Sequence, residues 1–360
     1  MTAATGTEAA GAPRRTARPD LVGLGALVLA TLILMLIGVR AVTGTAAVVA
    51  LLVLLGSIVG LVVVAVAGAP DTRRQLAPYG LLKPGVLWLA LFFVAPLLTL
   101  LKTSLSTLPS RFAVEAEFDW NFGNYSDAFS EFGDQFRRGF GYAALATVFC
   151  ILIGYPLAYV IAFRGGRWRN LLLGLVVIPF FTSFLIRTIA WRSILADNGP
   201  IMGVLEGLRL DGVFEAVGLI DNGRILNTMW SVVGGLTYNF VPFMVLPIYV
   251  SLEKINVNLV DAAKDLYSNS VWAFVKVVLP LSLPGVFAGT LLTFIPAAGD
   301  FINAEYLGGP NTTMIGNSIQ DQFLVQSNLP VAAAMSFVLM LIITIGVLVY
   351  TKFLGTEDLT

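Results

Sequence analysis

Residues 261–285 read DAAKDLYSNSVWAFVKVVLPLSLPG and place a polar segment, ending in two prolines, inside an apolar chain. Around the start of this segment, small and apolar side chains recur at the spacing of one helix face, at Leu259, Ala262, Ala263 and Leu266. Such a pattern predicts a short amphipathic helix. Alanines on one side would let the surface of another protein approach closely, and the acidic residues beside them could pair with basic groups on that protein.

The residues that follow predict a turn and a second short helix. Tyr267-Ser268-Asn269-Ser270 is a natural break, and either serine or Asn269 can cap a helix that runs through Phe274 and beyond. Pro280 and Pro284 lack an amide donor, so we expect them to stop or kink the chain before the next apolar run. The sequence therefore predicts a helix–turn–helix lying across the face of a membrane.

The composition requires a bilayer as the solvent for most of the chain. Of 360 residues, 57% are hydrophobic and 12% are charged, whereas soluble domains carry about 25% charged residues. Basic and acidic residues are balanced at 22 each, which gives no indication of nucleic-acid binding. The chain has no histidine, which removes the usual metal ligand and general base, and we expect its one cysteine, Cys150, to pack in the apolar core.

A membrane-spanning helix needs about 20 apolar residues. Eight stretches approach this length, with approximate bounds of 21–39, 46–67, 85–105, 140–163, 171–195, 228–252, 281–300 and 331–353. The alternation typical of half-buried strands is absent, so the sequence predicts an all-α polytopic membrane protein.

Basic residues near the span ends orient the chain. The brief loop 165–170, GGRWRN, is the clearest cytoplasmic signal, and the 106–138 loop on the opposite side carries several acidic residues. We therefore expect residues 253–280 and both termini to lie in the cytoplasm, in a multi-pass protein of the bacterial cytoplasmic membrane.

The N-terminal region precedes the part of the chain that carries the informative motifs. Residues 1–20 are rich in Ala, Thr, Gly and Pro and predict a disordered cytoplasmic tail. A signal peptide is the competing interpretation, but a long apolar run and a second span follow directly. We expect residues 21–67 to form an accessory transmembrane hairpin and residues 68–84 to form a cytoplasmic linker.

The polar segment resembles the EAA loop of ATP-binding-cassette (ABC) importer permeases. It supplies Asp261-Ala262-Ala263 at the start and Val277-Val278-Leu279-Pro280 at the end. Asp261 replaces the usual glutamate, and Tyr267 stands where the family places glycine. Further stretches resemble the B subunit of the spermidine/putrescine-type permeases, namely GYPLAY (154–159), PFFTSFLIRTIAW (179–191), YNFVPFMVLPIYVSLEK (238–254), PAAGDFINAEYLGG (296–309) and MIGNSIQDQF (314–323).

The resemblance implies a type I ABC importer core of six helices over residues 85–355, with a cytoplasmic coupling helix at 258–275. It further implies a second, homologous permease subunit, two ATPase subunits and an extracytoplasmic solute-binding protein, and polyamines as the solute. The dipeptide Gly-Lys of a phosphate-binding loop does not occur, so ATP and Mg²⁺ would bind the partner ATPase rather than this chain. The implied ATPase-coupling residues are Asp261, Ala262, Ala263, Asp265, Tyr267, Leu279 and Pro280.

Charged residues inside spans mark candidate pathway positions. Arg187 is one, although it could instead reach the outer interface or pair with an outer-loop carboxylate. Asp300 and Glu305 suit a cationic amine near the outer mouth, although the segment from Glu305 could be a structural turn. Trp191 and Tyr238 could add cation–π contacts, or belong to the interfacial aromatic belt.

Other functions stay open at this stage. An ion-coupled secondary transporter would need an intramembrane proton relay, and the absence of histidine weakens that interpretation. A membrane enzyme would need a catalytic constellation, which the sequence does not offer. Related ABC permeases carry amino-acid derivatives, opines or iron, so another small solute is the nearer alternative.

Overall fold

The computed structural model describes residues 88–110, 116–209, 211–216, 218–221, 223–267 and 269–354. The predicted tail, hairpin and linker over residues 1–84 lie outside them. The chain divides into two units between Leu100 and Leu101. A π-helical turn at Ala90–Val94 leads into helix α1, Ala95–Ser104, which crosses the boundary between the units.

In the described residues of the second unit, the regular secondary structure is helical apart from one small hairpin of two strands. The strands are β1 (Ser106–Thr107) and β2 (Glu117–Phe118), paired antiparallel. The helices in chain order are α2 (Gly123–Arg164), α3 (Arg169–Val177), α4 (Phe184–Ile194), α5 (Pro200–Gly207), α6 (Asp211–Ala216), α7 (Met229–Glu253), α8 (Val257–Tyr267), α9 (Ser270–Ala273), α10 (Leu279–Ala298), α11 (Ile302–Leu307), α12 (Ile315–Leu324) and α13 (Leu329–Leu354).

Four helical segments in the described part of the chain are long and apolar enough to cross a membrane. They are Gly123–Arg164, Met229–Glu253, Ser270–Ala298 and Leu329–Lys352, and a bent pair around residues 166–194 makes up to five. The stretch 85–105 appears as a shorter apolar helix, Leu91–Ser104. The predicted all-α membrane architecture is therefore confirmed for these residues.

Helix α2 begins much earlier than the sequence predicted. It starts at Gly123, so the expected 106–138 loop is wrong from that residue onward. Its 42 residues extend about 63 Å, roughly twice the hydrocarbon thickness of a bilayer. The extra turns are helical because Ala128, Phe132 and Phe136 recur every four residues and pack against the buried face formed by α12 and α13.

The predicted span 171–195 is not one straight helix. Helix α3 passes through a 3₁₀ turn at Ile178–Phe181, and α4 then leaves at an angle of 94°. Pro179 lies in the 3₁₀ turn and lacks an amide donor, while Thr182 takes an extended conformation and ends the helical hydrogen bonding. The apolar composition alone could not reveal this break.

The predicted cap at Asn269 is confirmed, whereas neither Pro280 nor Pro284 ends the helix. The Asn269 Oδ1 atom accepts a hydrogen bond from the Val271 amide at 2.8 Å. Helix α9 then continues into α10 through a π-helical turn at Phe274–Val278, in which the Leu279 amide donates to the Phe274 carbonyl. This wider turn lies directly before Pro280, and Pro284 lies inside α10. A locally widened helix accommodates the missing proline donor without a break.

Helix α7 lies at the centre of the largest core cluster, between α2 and α10. Glycines bring the neighbouring backbones close to it. A Cβ atom at Gly154 of α2 would lie 3.2 Å from Met244, and one at Gly289 of α10 would lie 2.7 Å from the Met244 sulfur. Small residues at such crossings are typical of helix packing in membranes. Cys150 is fully buried in the same core, as expected.

Replacing Gly285 by alanine should force α7 and α10 apart, because the added Cβ would lie 2.5 Å from the Pro247 carbonyl oxygen and 2.6 Å from the Ser251 hydroxyl. We expect a loss of about 1–3 kcal/mol in the free energy of unfolding. Thermal unfolding in detergent measures it. Gly346→Ala on α13 is the control, because a Cβ there meets no atom within 4 Å. Equal midpoints for both variants would contradict the close crossing.

Candidate functional site

Helix α8 presents its apolar residues on two adjacent stripes, one buried and one exposed. Val260 and Ala263 face the protein interior, and Ala263 is 5% exposed. Leu259, Ala262 and Leu266 face outward, and Leu266 is 76% exposed. The expectation that Ala263 shares a face with the other three is therefore wrong. Val260 and Ala263 anchor the helix, and the outward stripe is free for contact with another molecule.

The charged residues of α8 are on its surface. The Lys264 ammonium lies 2.9 Å from Asp261 Oδ1 in an exposed i,i+3 pair, and the hydrogen bond to Asp261, together with its negative charge, raises the pKa of Lys264. Asp265 is also exposed, one turn after Asp261. Helix α8 ends at Tyr267. Because solvent screens such pairs, the charges contribute more to the recognition of a partner than to stability.

The remaining predicted coupling residues lie after the turn at Asn269. Leu279 is half-buried at the first position of α10, and Pro280 is exposed next to it. The structure therefore places Leu279 and Pro280 on the continuous helix that enters the membrane, and Asp261, Ala262 and Asp265 on the surface of α8.

An ion pair joins the loop at residues 165–170 to the end of α7. The Arg169 guanidinium pairs with the Glu253 carboxylate, and it also donates to the Tyr249 hydroxyl and lies over the Tyr249 ring. Helix α8 begins four residues after Glu253. The basic loop and α8 are therefore on the same side of the helical bundle.

A polar cluster lies buried where α4, α7 and α11 meet. The Asn239 side-chain amide donates to Asn303 Oδ1 at 3.0 Å and lies 3.4 Å from the Thr188 hydroxyl. The Thr188 hydroxyl lies 3.3 Å from the same Asn303 oxygen. The Asn303 backbone amide donates to Asp300 Oδ1 at 2.7 Å, so this buried carboxylate holds the first turn of α11. Three helices are thereby joined by polar contacts.

Glu305 lies beside this cluster and is exposed. One of its carboxylate oxygens accepts a hydrogen bond from Asn317 at 3.2 Å, and Asn317 also donates to the Phe301 carbonyl at 2.9 Å. Asp300 and Glu305 are therefore both fixed by hydrogen bonds, one buried and one open to the surroundings.

Arg187 is 8% exposed and lies over the Phe184 ring, with 5.6 Å from its guanidinium carbon to the ring centre. Its Nε and Nη1 atoms are buried without an acceptor among the described residues. The alternatives in which Arg187 reaches the outer interface or pairs with an outer-loop carboxylate are therefore not observed in the described part of the chain.

Trp191 and Tyr238 belong to a different place, an apolar cavity of about 740 Å³ between α2, α3, α4 and α7. Their rings pack edge to face with centres 5.3 Å apart, and Phe149 and Trp230 form a second aromatic pair in the wall. The residues in this wall include no Asp, Glu, Lys or Arg. Of the expected pathway residues, Asp300 and Glu305 thus lie at or beside the polar cluster, whereas Trp191 and Tyr238 line the cavity. Arg187 contacts the Phe184 ring instead.

The sequence interpretation missed Thr188, Asn239, Asn303 and Asn317. Each of them lies inside a motif already recognised, such as the asparagine of YNFVPF at 238–243. An amide in an apolar span was the available signal, because buried polar groups in a membrane need partners. Which amides meet across helices could be seen only in the folded chain.

A family model described as "Binding-protein-dependent transport system inner membrane component" matches residues 151–353. The chain belongs to this family. Among curated relatives, the spermidine/putrescine transport system permease protein PotB of Haemophilus influenzae is 36% identical over 74% of this chain and 90% of that protein. Its Escherichia coli counterpart is 34% identical over 74% of this chain and 93% of that protein. The inner membrane ABC transporter permease protein YdcU of Escherichia coli is 29% identical over 76% of this chain and 88% of that protein.

Solved structures agree on the fold of this permease. A bacterial ABC transporter for import of the acidic polysaccharide alginate matches with a TM-score of 0.55 at 15% identity, covering 80% of this chain and 98% of that chain. A bacterial alginate ABC transporter in complex with an alginate pentasaccharide-bound periplasmic protein matches with a TM-score of 0.52 at 16% identity. The match covers 78% of this chain and 95% of that chain. The predicted helical permease of the type I ABC importer fold, a transporter subunit rather than an enzyme, is confirmed.

Replacing Asn303 by alanine should destabilise the permease, because Asn239 and Thr188 would lose their shared acceptor inside the bundle. The Asn239 amide would keep only its 3.4 Å contact with the Thr188 hydroxyl, and weakening a buried hydrogen bond in this way costs about 1–3 kcal/mol. The free energy of unfolding in detergent measures the effect. Asn311→Ala, at an exposed position after α11, is the control and should change little. The cluster would be energetically unimportant if both variants unfolded alike.

Proposed function

We propose that this permease forms the translocation path of an ATP-driven importer for small cationic solutes, with the polyamines spermidine and putrescine as its substrates. The observation that carries the solute class is the 36% identity to a spermidine/putrescine permease over 90% of that relative's length. The relatives are permease subunits of transport systems, so we expect ATP and Mg²⁺ to bind a separate ATPase subunit.

The outward stripe of α8 is the proposed contact with that ATPase. Leu259, Ala262 and Leu266 offer an apolar strip, and Asp261 and Asp265 flank it with negative charge. An amphipathic helix that fits a groove commonly buries anchors at such a spacing. Val260 and Ala263 hold the helix to the permease core, so a push on the outward side reaches the membrane-spanning part.

The connection from α8 to the membrane is suited to transmit movement. Asn269 caps α9, and α9 continues without a break into α10 as a helix of 29 residues, Ser270–Ala298. Displacement of the surface helices would therefore move the whole span as one body, which favours rocking between outward- and inward-facing states.

The solute path is proposed to pass the carboxylate of Glu305, with Asp300 behind it. Glu305 is exposed and already accepts one hydrogen bond, from Asn317, so its second oxygen can accept from an ammonium group. The buried guanidinium of Arg187 would disfavour a cation deeper inside the chain, next to α4. The roles of Trp191 and Tyr238 in the path stay predictions.

The assembly follows from the family. We propose a heterodimer with a homologous permease, two ATPase subunits and an extracytoplasmic solute-binding protein, with both termini of this chain cytoplasmic. Residues 85–355 would form the permease core, 258–275 its coupling segment, 21–67 an accessory hairpin, 1–20 a tail and 68–84 a linker. The alginate transporter with its bound periplasmic protein supports the type of partner.

The substrate is tested by the ATPase activity of the complex, purified with its partner subunits in nanodiscs. Activity should rise when the binding protein is loaded with spermidine or putrescine. Stimulation by an amino-acid derivative, an opine or iron instead would support the importer function but show that polyamines are not the solute. Solute uptake that requires an ion gradient and no ATP would show that the protein is a secondary transporter and not part of an ATP-driven importer.

Replacing both Asp261 and Asp265 by lysine should weaken attachment of the ATPase, because reversed charges on α8 would repel basic groups on the partner. We expect about tenfold less ATPase retained on the tagged permease, equivalent to about 1.4 kcal/mol. Asp127→Lys/Glu131→Lys is the matched control, since these exposed acidic residues have the same spacing on α2. Full retention by the α8 variant would exclude this docking surface.

Glu305→Gln should raise the apparent KM for spermidine uptake about tenfold, because one ion pair worth about 1.4 kcal/mol is lost while the amide oxygen still accepts from Asn317. Uptake into proteoliposomes at varied spermidine concentration gives the KM. Glu206→Gln, exposed on α5, serves as the control. An unchanged KM in the Glu305 variant would remove this carboxylate from the path.

A further inference from the structure

The start of α3 is held against the end of α2 by a turn that depends on two glycines. A Cβ atom at Gly165 would overlap the Ile161 carbonyl oxygen and would lie 3.2 Å from the Arg169 Cα atom. Gly166 has a φ angle of 44°, in the left-handed region that residues with side chains rarely adopt. The two glycines thus permit the turn between α2 and α3 and set the position of Arg169, the first residue of α3.

Arg169 is attached to α7 by three contacts of different kinds. Its guanidinium pairs with the Glu253 carboxylate and donates to the Tyr249 hydroxyl. It also lies over the Tyr249 ring, with 5.0 Å from the guanidinium carbon to the ring centre. A planar guanidinium can make an ion pair and a ring contact at the same time, which fixes its orientation. Arg169 therefore fastens the start of α3 to the last turn of α7.

Glu253 is placed where its charge does not favour the helix that carries it. It is the last residue of α7, and the dipole of a helix disfavours a negative charge at that end. The last turn of α7 has no basic residue, so the compensating charge comes from Arg169 on α3. The two side chains are 31% and 47% exposed, and solvent screening leaves such a pair little contribution to stability. What the pair does supply is a connection between two helices.

The connection from Glu253 to α8 is short and ordered. The Ile255 amide donates to the Leu252 carbonyl at 3.1 Å, and the Ile255 side chain is buried. Asn256 Oδ1 accepts a hydrogen bond at 3.0 Å from the amide of Asn258, in the first turn of α8. A displacement of α8 therefore acts on Glu253 through three ordered residues.

On its other side, Arg169 begins the bent pair of helices α3 and α4. The two helices meet at 94°, and α4 carries Thr188, which contacts Asn239 and Asn303 in the buried polar cluster. Packed helices respond to a push by small sliding movements that keep their contacts. A shift of Arg169 would therefore move α3 and, through the bend, the helix that enters the polar cluster.

We propose that Arg169 is a positioning residue that transmits displacement of α8 to α3 and α4, through Glu253 at the end of α7. This route is separate from the continuous helix Ser270–Ala298. Two spans on different sides of α7 thus follow the same surface helix. The inference rests on the proposed attachment of an ATPase to α8.

The test follows the position of α4 in the complete complex with its partner subunits in nanodiscs. Spin labels on Ser193→Cys, exposed on α4, and Thr351→Cys, exposed on α13, report the distance between these helices. The distance is measured without nucleotide and again with ATP and vanadate, which trap the ATPase after hydrolysis, so no solute is required. We expect trapping to shift the distance in the otherwise natural sequence.

Arg169→Gln should lose at least half of this shift, while the Tm and the amount of bound ATPase stay unchanged. Glu253→Gln should lose as much, and it covers the case in which Arg169→Gln does not fold. The exchanged pair Arg169→Glu/Glu253→Arg should restore most of the shift, which a purely structural effect of either side chain would not. Asp134→Asn/Arg137→Gln, which removes an exposed ion pair within α2 alone, is the control and should keep the shift.

Transport gives an independent readout. The amount of spermidine taken up per ATP hydrolysed should fall about fivefold in Arg169→Gln, a usual size for coupling between two sites, and recover in the exchanged pair. A full distance shift in Arg169→Gln and Glu253→Gln, or no shift in the natural sequence with ATPase bound, would overturn the inference. A natural-sequence complex that binds no ATPase would instead refute the proposed function on which the inference rests.

Discussion

The close packing of α7 against its neighbours is the constraint on which the rest of the molecule depends. Gly154, Gly285 and Gly289 remove side chains where α2 and α10 cross this helix, so the backbones approach within van der Waals distance. Every functional feature is attached to the same helix. Asn239 on α7 joins the polar cluster, the first half of α7 forms a wall of the apolar cavity, and its last turn leads into α8. Because packing rather than water exclusion holds helices together in lipid, these crossings fix the geometry of all three places.

Local signals in the sequence predicted what short-range physics decides. Apolar length located α7 and α13 within a few residues, and the preference of asparagine for helix starts located the cap of α9. The bend in the span 171–195 and the early start of α2 depend on how particular residues pack against distant helices, which apolar length does not encode. The prediction of which residues share one face of α8 was wrong for a similar reason. Two adjacent stripes of that helix are apolar, and only the neighbouring core decides that Val260 and Ala263 are the buried ones.

The continuity between α9 and α10 determines how the proposed coupling segment would transmit movement. A proline that broke the helix would have made the junction a hinge, and movement of α8 would have been lost there. The π-helical turn before Pro280 keeps the axis intact while it accommodates the missing amide. Near the start of α10, the Tyr155 hydroxyl lies 2.7 Å from the Ser282 hydroxyl, so α2 is tied to the same span. A rigid surface helix, a rigid span and a polar tie to α2 together favour motion of the bundle as a body rather than bending of single helices.

The burial of Cys150 has a practical consequence for spectroscopy. Its thiol is fully covered, lies at the centre of the core and donates to the Thr237 carbonyl at 3.5 Å. Water-soluble maleimides and methanethiosulfonates react with accessible thiolates, so the natural cysteine gives no background signal in the folded permease. Single cysteines introduced on α8 or α13 can therefore carry spin labels or fluorophores in the otherwise natural sequence, without prior removal of Cys150. Distances between such probes can be followed through a turnover cycle in an unperturbed core.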